Sequence, residues 1–235
     1  MAVIDFHSHI LPGIDDGSKD VEMSMEMLRM ALEQGVEIML ATPHFYASQQ
    51  RIDDFLLNRQ AALERLENRR NSFVPELKLG AEVAFFPGMS QADRLEELLI
   101  EGSRVLLLEM PFTSWSESTV DEVAELVKKR NMQVVLAHLD RYMGMTENRK
   151  QMARLLEWPI YVQINAESLL SWKTRGKVIK MFRQNKAHFL GSDCHRLIKR
   201  EPNLGKGREV LRKKLGESFV QDMDEKGSLL LHLGG

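Results

Sequence analysis

The chain is almost without cysteine: Cys194 is the only one among 235 residues. No internal disulfide is available, which suits a reducing compartment. Net charge is equally scarce, since 32 basic residues nearly balance 34 acidic ones to leave a formal −2. Bulk charge therefore gives no drive toward nucleic acid or an anionic membrane surface. Long apolar runs are missing too. The strongest, residues 105–112, is interrupted by Glu109 and falls far short of the ~20 residues that a membrane helix needs. The opening Met-Ala-Val-Ile-Asp-Phe-His has neither the apolar core nor the small-residue cleavage site of a secretory signal, so a cytoplasmic protein is expected. No proline- or serine-rich linker and no low-complexity tract divides the chain. Its 43% apolar and 28% charged content excludes disorder and a fibrous fold and fits one soluble domain over 1–235.

What is present is an alternation of short β-branched runs with stretches of helical period, the pattern of successive βα units around a parallel sheet. Seven strands are expected, at residues 2–6, 37–41, 77–83, 104–109, 133–137, 160–164 and 187–191. Helices are expected to begin near Val21, Arg51, Ser90, Glu117, Glu147 and Lys173, with a last helical region over 204–225. Seven such units in one chain favour a distorted, TIM-like (β/α)7 barrel over an open doubly wound sheet. Met23, Met27 and Met30 form a core-packing stripe on the first helix, because methionine fills irregular gaps. The charged stretch 58–71 is a solvated helix face.

The seven histidines are unevenly placed. His7 and His9 lie two apart at the end of the first strand, where extended backbone sends both side chains to the same side. The following Pro-Gly-Ile-Asp-Asp-Gly is a turn able to aim Asp15 or Asp16 back at the strand end. His44 follows strand two, Glu82 and Glu109 lie near the ends of strands three and four, and His138 follows strand five. Asp193 and His195 follow strand seven as another i, i+2 pair. In such a barrel all strand C-termini open on one face, so residues far apart in sequence converge on one pocket. His188 and His232 fall outside this pattern and are read as structural or surface residues.

Imidazole and carboxylate together suit Zn²⁺, Mn²⁺ or Fe²⁺. Five histidines and about four carboxylates exceed the three protein ligands of a simple catalytic zinc site, so two or three divalent ions are expected, with Glu82 a candidate bridge. Metal-bound water loses its proton near neutral pH, and adjacent cations neutralise charge on an attacked phosphoryl group. Hydrolysis of a phosphate ester is the matching reaction class. Arg141, Arg196, Lys199 and Arg200 supply positive charge nearby, and guanidinium groups hold phosphate oxygens bidentately.

The segments His7-Ser-His9 through Asp16-Gly17, His44, Gly80-Ala-Glu82, Glu109, His138-Leu-Asp-Arg141 and Ser192-Asp-Cys-His195 resemble the polymerase-and-histidinol-phosphatase (PHP) superfamily. More narrowly they resemble its bacterial capsular-polysaccharide tyrosine phosphatases, from His7 to about Pro202. The resemblance implies a manganese-type, metal-dependent phosphatase acting on the tyrosine-rich tail of a bacterial tyrosine kinase that controls capsular and exopolysaccharide synthesis. It also implies a trinuclear centre ligated by His7, His9, Asp16, His44, Glu82, Glu109, His138, Asp193 and His195, with Asp16 preferred to Asp15 because the family's ligand directly precedes a glycine. Arg141 matches a catalytic, phosphate-binding arginine, and Arg200 a second one. Here the chain departs from the family, having Arg-Leu-Ile-Lys-Arg-Glu-Pro where an Arg-Pro-Pro ending is usual, so Arg196 stays an alternative. A homo-oligomer is compatible with the resemblance.

The expected mechanism is in-line attack on phosphorus by a hydroxide held between metal ions, with Arg141 and Arg200 on the non-bridging oxygens. Cys194 and Arg200 also satisfy the Cys-x5-Arg spacing of cysteine-based tyrosine phosphatases. That route is disfavoured, because the intervening residues contain no glycine to turn backbone amides inward and Cys194 alternates away from Asp193 and His195. Other readings are a histidinol-phosphate phosphatase, a polymerase-associated exonuclease, against which the balanced charge speaks, and a non-catalytic metal-binding regulator of a kinase.

Overall fold

Valine, isoleucine and leucine runs take up extended backbone and pair side by side, as expected for branched residues on a pleated, buried surface. The computed structural model describes residues 1–69 and 74–233. Among these residues the strands are β1 (Ile4–Ser8), β2 (Ile38–Ala41), β3 (His44–Phe45), β4 (Glu76–Leu79), β5 (Glu82–Ala84), β6 (Val105–Glu109), β7 (Gln133–Leu136), β8 (Tyr161–Asn165) and β9 (Phe189–Gly191). All pairings between them are parallel. They form a three-stranded sheet, β1-β2-β4 order, and a six-stranded sheet in the order β3-β5-β6-β7-β8-β9.

Backbone bonds join the two sheets at the β1–β9 seam, and at the other edge the chain itself carries the pairing across, from β2 into β3 and from β4 into β5. Asp193 N donates to His7 O at 2.8 Å and His9 N to Cys194 O at 3.0 Å, while Gly80 N donates to Ala41 O at 2.9 Å and Glu82 N to Pro43 O at 3.0 Å. The strands thus curl into a TIM-like α/β barrel, as the seven-unit pattern implies. Around it lie α1 (Val21–Glu33), α2 (Ile52–Glu67), α3 (Glu117–Lys128), α4 (Arg149–Leu155), α5 (Glu167–Leu170), α6 (Arg175–Arg183), α7 (Leu204–Leu215) and α8 (Glu217–Leu230). Two helices start on side-chain caps: Asp20 accepts from Met23 N at 2.8 Å, and Ser116 from Thr119 N at 3.1 Å, satisfying donors that a helix start leaves unpaired.

Several expected elements change form. The third strand breaks at Gly80–Ala81: its first half pairs with β2 and its second with β3 and β6. The break also gives His44 a short strand of its own. The helix expected near Ser90 is replaced by two 3-10 turns, Met89–Gln91 and Leu95–Leu98, each preceded by a left-handed residue, Gly88 or Arg94, which a right-handed helix does not accommodate. The helix expected near Glu147 starts as a 3-10 turn, Thr146–Asn148, before α4. The last helical region divides at Gly216, where φ is 102°, into α7 and α8.

Alternation sorts the core into two layers. Ile38, Leu40, Val105, Leu107, Val135 and Phe189 fill the barrel with Leu230 and Leu231 of the α8 end, while Met39, Leu106, Leu108, Val134 and Leu136 face the helices. Met27 is fully buried and Met23 packs partly against that outer layer, while Met30 is half-buried, so the methionine stripe is core at its first two members. The 58–69 part of the charged stretch keeps an exposed face around buried Ala62 and Leu66; Arg70 and Asn71 lie outside the described residues. In β1 a register shift between Asp5 and Ser8 lets consecutive residues both turn inward. Phe6 stacks on Phe189 at 4.0 Å, whereas His7 meets Gln163. Beneath the strand C-termini there is consequently an apolar plug, and above it a polar layer.

Candidate metal centre

That polar layer gathers the histidines and carboxylates from six strand ends. His7 comes from β1 and His9 from the turn after it, His44 from β3, Glu82 from the start of β5, and Glu109 from the end of β6. His138 and Arg141 lie at the 3-10 turn Leu139–Tyr142 after β7, and Asp193, His195 and Arg200 follow β9. His7, His9, Glu82, Glu109, His138, Asp193 and His195 are buried, His44 is partly so, and Asp16 is at the mouth.

Glu82 is the hub. Its Oε2 lies 2.8 Å from His44 Nδ1, 3.2 Å from His7 Nε2 and 3.3 Å from His9 Nε2, and its Oε1 lies 2.8 Å from His138 Nε2. Glu109 Oε1 approaches His138 Nε2 to 3.3 Å. Asp193 Oδ1 sits 3.5 Å from both His9 Nε2 and His195 Nδ1, and Asp16 Oδ1 3.3 Å from His195 Nε2. Three sets of donor atoms fall within 4.8 Å of one another: His9/Asp16/His44/His195, His7/His9/Glu82 and His44/Glu82/Glu109. All nine residues named from the sequence are brought into this layer.

The donor set fits divalent cations on a further ground. Glu82 Oε2, His44 Nδ1 and His195 Nε2 are buried and make no hydrogen bond of good geometry, facing one another or Asp16 at ion-pair distance only, and buried polar atoms left so are costly unless something charged or polar meets them squarely. The titration of the layer points the same way. Burial alone pulls His9 down, yet hydrogen bonds to Asp15 and Glu82 outweigh it and raise the imidazole to about 10. Burial likewise opposes protonation of His138, which bonds to Glu109 and Glu82 lift to about 9. Burial would push Glu82 and Asp193 up, but neighbouring His7 and, at Asp193, Arg141 hold both carboxyls below the usual range. His195, buried and beside His9, is lowered to about 3. The carboxylates demand positive charge, which cations supply at neutral pH by displacing these protons.

Positioning groups surround the donors. Asp15, which was the alternative to Asp16 as a ligand, accepts from His9 Nδ1 at 2.6 Å, Gly17 N at 2.9 Å and His44 N at 3.0 Å. That is the carboxylate–histidine relation that fixes a ligating ring. Gln163 Oε1 accepts from His138 N at 2.6 Å and lies 3.3 Å from His7 Nδ1, and Asn165 Nδ2 donates to Asp193 Oδ2 at 2.8 Å. Asp5 accepts from Ser192 N at 2.7 Å, its carboxyl raised by burial to about 6. Sequence reasoning missed Gln163, Asn165 and Asp5. The signal for the first two was present, since two amides at i, i+2 in an otherwise apolar strand repeat the His7–His9 spacing. His138 and Asp193 have left-handed backbones, φ 31° and 51°, a conformation that costs energy for such residues and clusters at functional sites.

Arg141 and Arg200 donate to opposite oxygens of Asp193, Arg200 at 2.7 Å, and each is about one-third exposed at 34% and 35%. Arg196 is exposed and has no ion-pair partner among the described residues. Cys194 is fully buried in the outer core layer and its thiol is pushed well up by burial, which removes the thiolate alternative. His188 lies off the site with its Nδ1 accepting from Val162 N at 3.0 Å, and His232 is exposed near the tail.

A family profile described as "Capsular polysaccharide synthesis, CpsB/CapC" matches residues 3–228. The chain belongs to this family. Among its curated relatives is the tyrosine-protein phosphatase YwqE of Bacillus subtilis strain 168, 29% identical over 241 residues covering 97% of this chain and 91% of the relative. The tyrosine-protein phosphatase CpsB of Streptococcus agalactiae serotype V is 24% identical over 231 residues, 94% of each chain. A chain from crystal structures of YwqE from Bacillus subtilis and CpsB from Streptococcus pneumoniae, described as unique metal-dependent tyrosine phosphatases, superposes with a TM-score of 0.85 at 26% identity, over 99% of this chain and 96% of that one. The CpsB/CapC fold therefore extends over essentially the whole molecule.

Proposed function

We propose that this CpsB/CapC chain is a metal-dependent protein-tyrosine phosphatase whose substrate is the phosphorylated C-terminal tyrosine cluster of a bacterial tyrosine kinase controlling capsular or exopolysaccharide synthesis. The observation that carries the reading is the buried donor layer around Glu82, with two arginines at its mouth. His7, His9, Asp16, His44, Glu82, Glu109, His138, Asp193 and His195 hold two or three divalent cations, manganese first among them, with iron and zinc as alternatives. When bound, these cations supply Lewis acidity and make water nucleophilic near neutral pH.

The chain's own groups do the rest. Arg141 and Arg200 grip the non-bridging phosphate oxygens and orient the ester in line, the role that their planar, multi-donor forks suit. Asp15, Gln163 and Asn165 keep His9, His7 and Asp193 in register. A phenolate leaves with a conjugate-acid pKa of about 10, so a strong general acid is less needed for tyrosine than for serine esters. No helix among the described residues is long and apolar enough to cross a membrane. The test is a panel on protein reconstituted with Mn²⁺: phosphotyrosine peptides are expected to be hydrolysed well ahead of histidinol phosphate. The reverse order would convert the reading to the small-molecule phosphatase, and no turnover of either to a metal-binding regulator.

A further inference from the structure

Phe112 is 53% exposed, an unusual state for a large apolar ring held so firmly. It follows β6 by three residues, and the segment leading to it is tied down at two points. Tyr142 Oη donates to Met110 O, and Trp115 Nε1 donates to Pro111 O at 2.8 Å. The Phe112 ring stacks on Tyr142 at 4.8 Å and 11°, and lies nearly parallel to the ring of His138 at 6.0 Å and 18°. His138 in turn holds Glu82 Oε1. A second ring stands on the other oxygen of the hub: His44 Nδ1 lies 2.8 Å from Glu82 Oε2, and Tyr46 lies tilted against His44 at 5.2 Å and 30°. Among the described residues, Trp172, between α5 and α6, and Ile198, after β9, are also strongly exposed, but Phe112 is the strongly exposed one whose ring meets a candidate ligand.

We propose that Phe112 is a specificity-determining residue, its exposed face stacking on the phenyl ring of an aryl phosphate bound at the metal layer. This rests on the phosphatase reading above and deepens it by assigning the preference for aryl over alkyl esters to one side chain. Offset stacking of aromatic rings contributes beyond simple area burial, and a ring already stacked on Tyr142, on backbone tied down by Tyr142 and Trp115, loses little freedom on binding. An alkyl phosphate offers no π-face and gains nothing from it.

The experiment compares phenyl phosphate with glycerol 2-phosphate on Mn²⁺-loaded wild type, Phe112→Ala and Phe112→Tyr. Leaving-group chemistry is common to all three proteins and drops out of the comparison. The ratio of kcat/KM for the aryl to the alkyl ester is expected to fall about three- to tenfold in Phe112→Ala, the worth of an aromatic pair, mainly through KM. Phe112→Tyr restores it. Inhibition by phenylphosphonate relative to methylphosphonate should weaken by the same factor. An unchanged ratio in an active Phe112→Ala protein overturns this proposal alone, as does equal loss on both esters. A wild-type protein that hydrolyses neither ester overturns the phosphatase reading and this proposal together.

Discussion

Asp15 and Asp16 are neighbours in sequence and opposites in environment. Asp15 is 6% exposed and spends its carboxylate on His9 Nδ1 and two backbone amides, whereas Asp16, at 58%, faces His44 and His195. Asp15→Asn keeps the size but loses the charge that orients His9, so metal affinity should weaken by about 10–100-fold; a calorimetric titration with Mn²⁺ showing unchanged affinity would refute that role. Arg141→Ala should lower kcat by about 10²–10³ with metal content unaltered, measurable by steady-state kinetics beside elemental analysis. At this scale the donor residues were legible because histidines and acids at strand ends are few and chemically marked. Gln163 and Asn165 had only their i, i+2 spacing to mark them, and which groups they hold is decided when His138 and Asp193 come to rest against them.

At the scale of elements, backbone approaches decide what sequence patterns leave open. The strand expected over residues 77–83 breaks at Gly80, where a Cβ would lie 2.2 Å from Ile100 Cδ1; the contact is long-range, so alternation alone cannot reveal it. The turn after β1 is tighter still. A Cβ on Gly17 would stand 2.4 Å from both the Cβ and the carbonyl oxygen of His9, atoms that cannot swing aside. Gly17→Ala is expected to cost about 1–3 kcal/mol by overpacking and to lower metal occupancy by displacing His9. Urea unfolding and metal analysis would read these separately, and a stable variant with full metal content would contradict the account. The starts of α1 and α3 fall at Val21 and Glu117, where the periodic pattern placed them. The 3-10 turns after β5 were not legible in it, because Arg94 adopts a left-handed backbone that nothing in its own identity announces.

For the whole molecule, the formal −2 conceals how charge is distributed: carboxylates are withdrawn into one end of the barrel, where cations held by them would offset their charge and attract an anionic ester. Closure of the barrel lay beyond strand counting, since it depends on Asp193 N and His9 N meeting carbonyls across the β1–β9 seam. At the opposite end, His188 is lowered from 6.5 to about 4 by burial, with Lys226 adding to it. Between these values the unfolded chain binds a proton that the folded chain resists, so stability falls as pH drops from 6.5 to about 4. His188→Asn, which keeps an acceptor near Val162 N, should flatten that part of a melting-temperature–pH curve; an unchanged slope would count against it. On the proposed reading, metal ions and not the buried thiol of Cys194 support turnover. Its most direct test is phosphotyrosine-peptide hydrolysis by Cys194→Ser protein before chelation, after it, and after Mn²⁺ is restored. Activity near wild type, lost on chelation and regained with the metal, is the expected result; activity abolished by the substitution, which would place the chemistry on the thiol, or activity surviving chelation would contradict that reading.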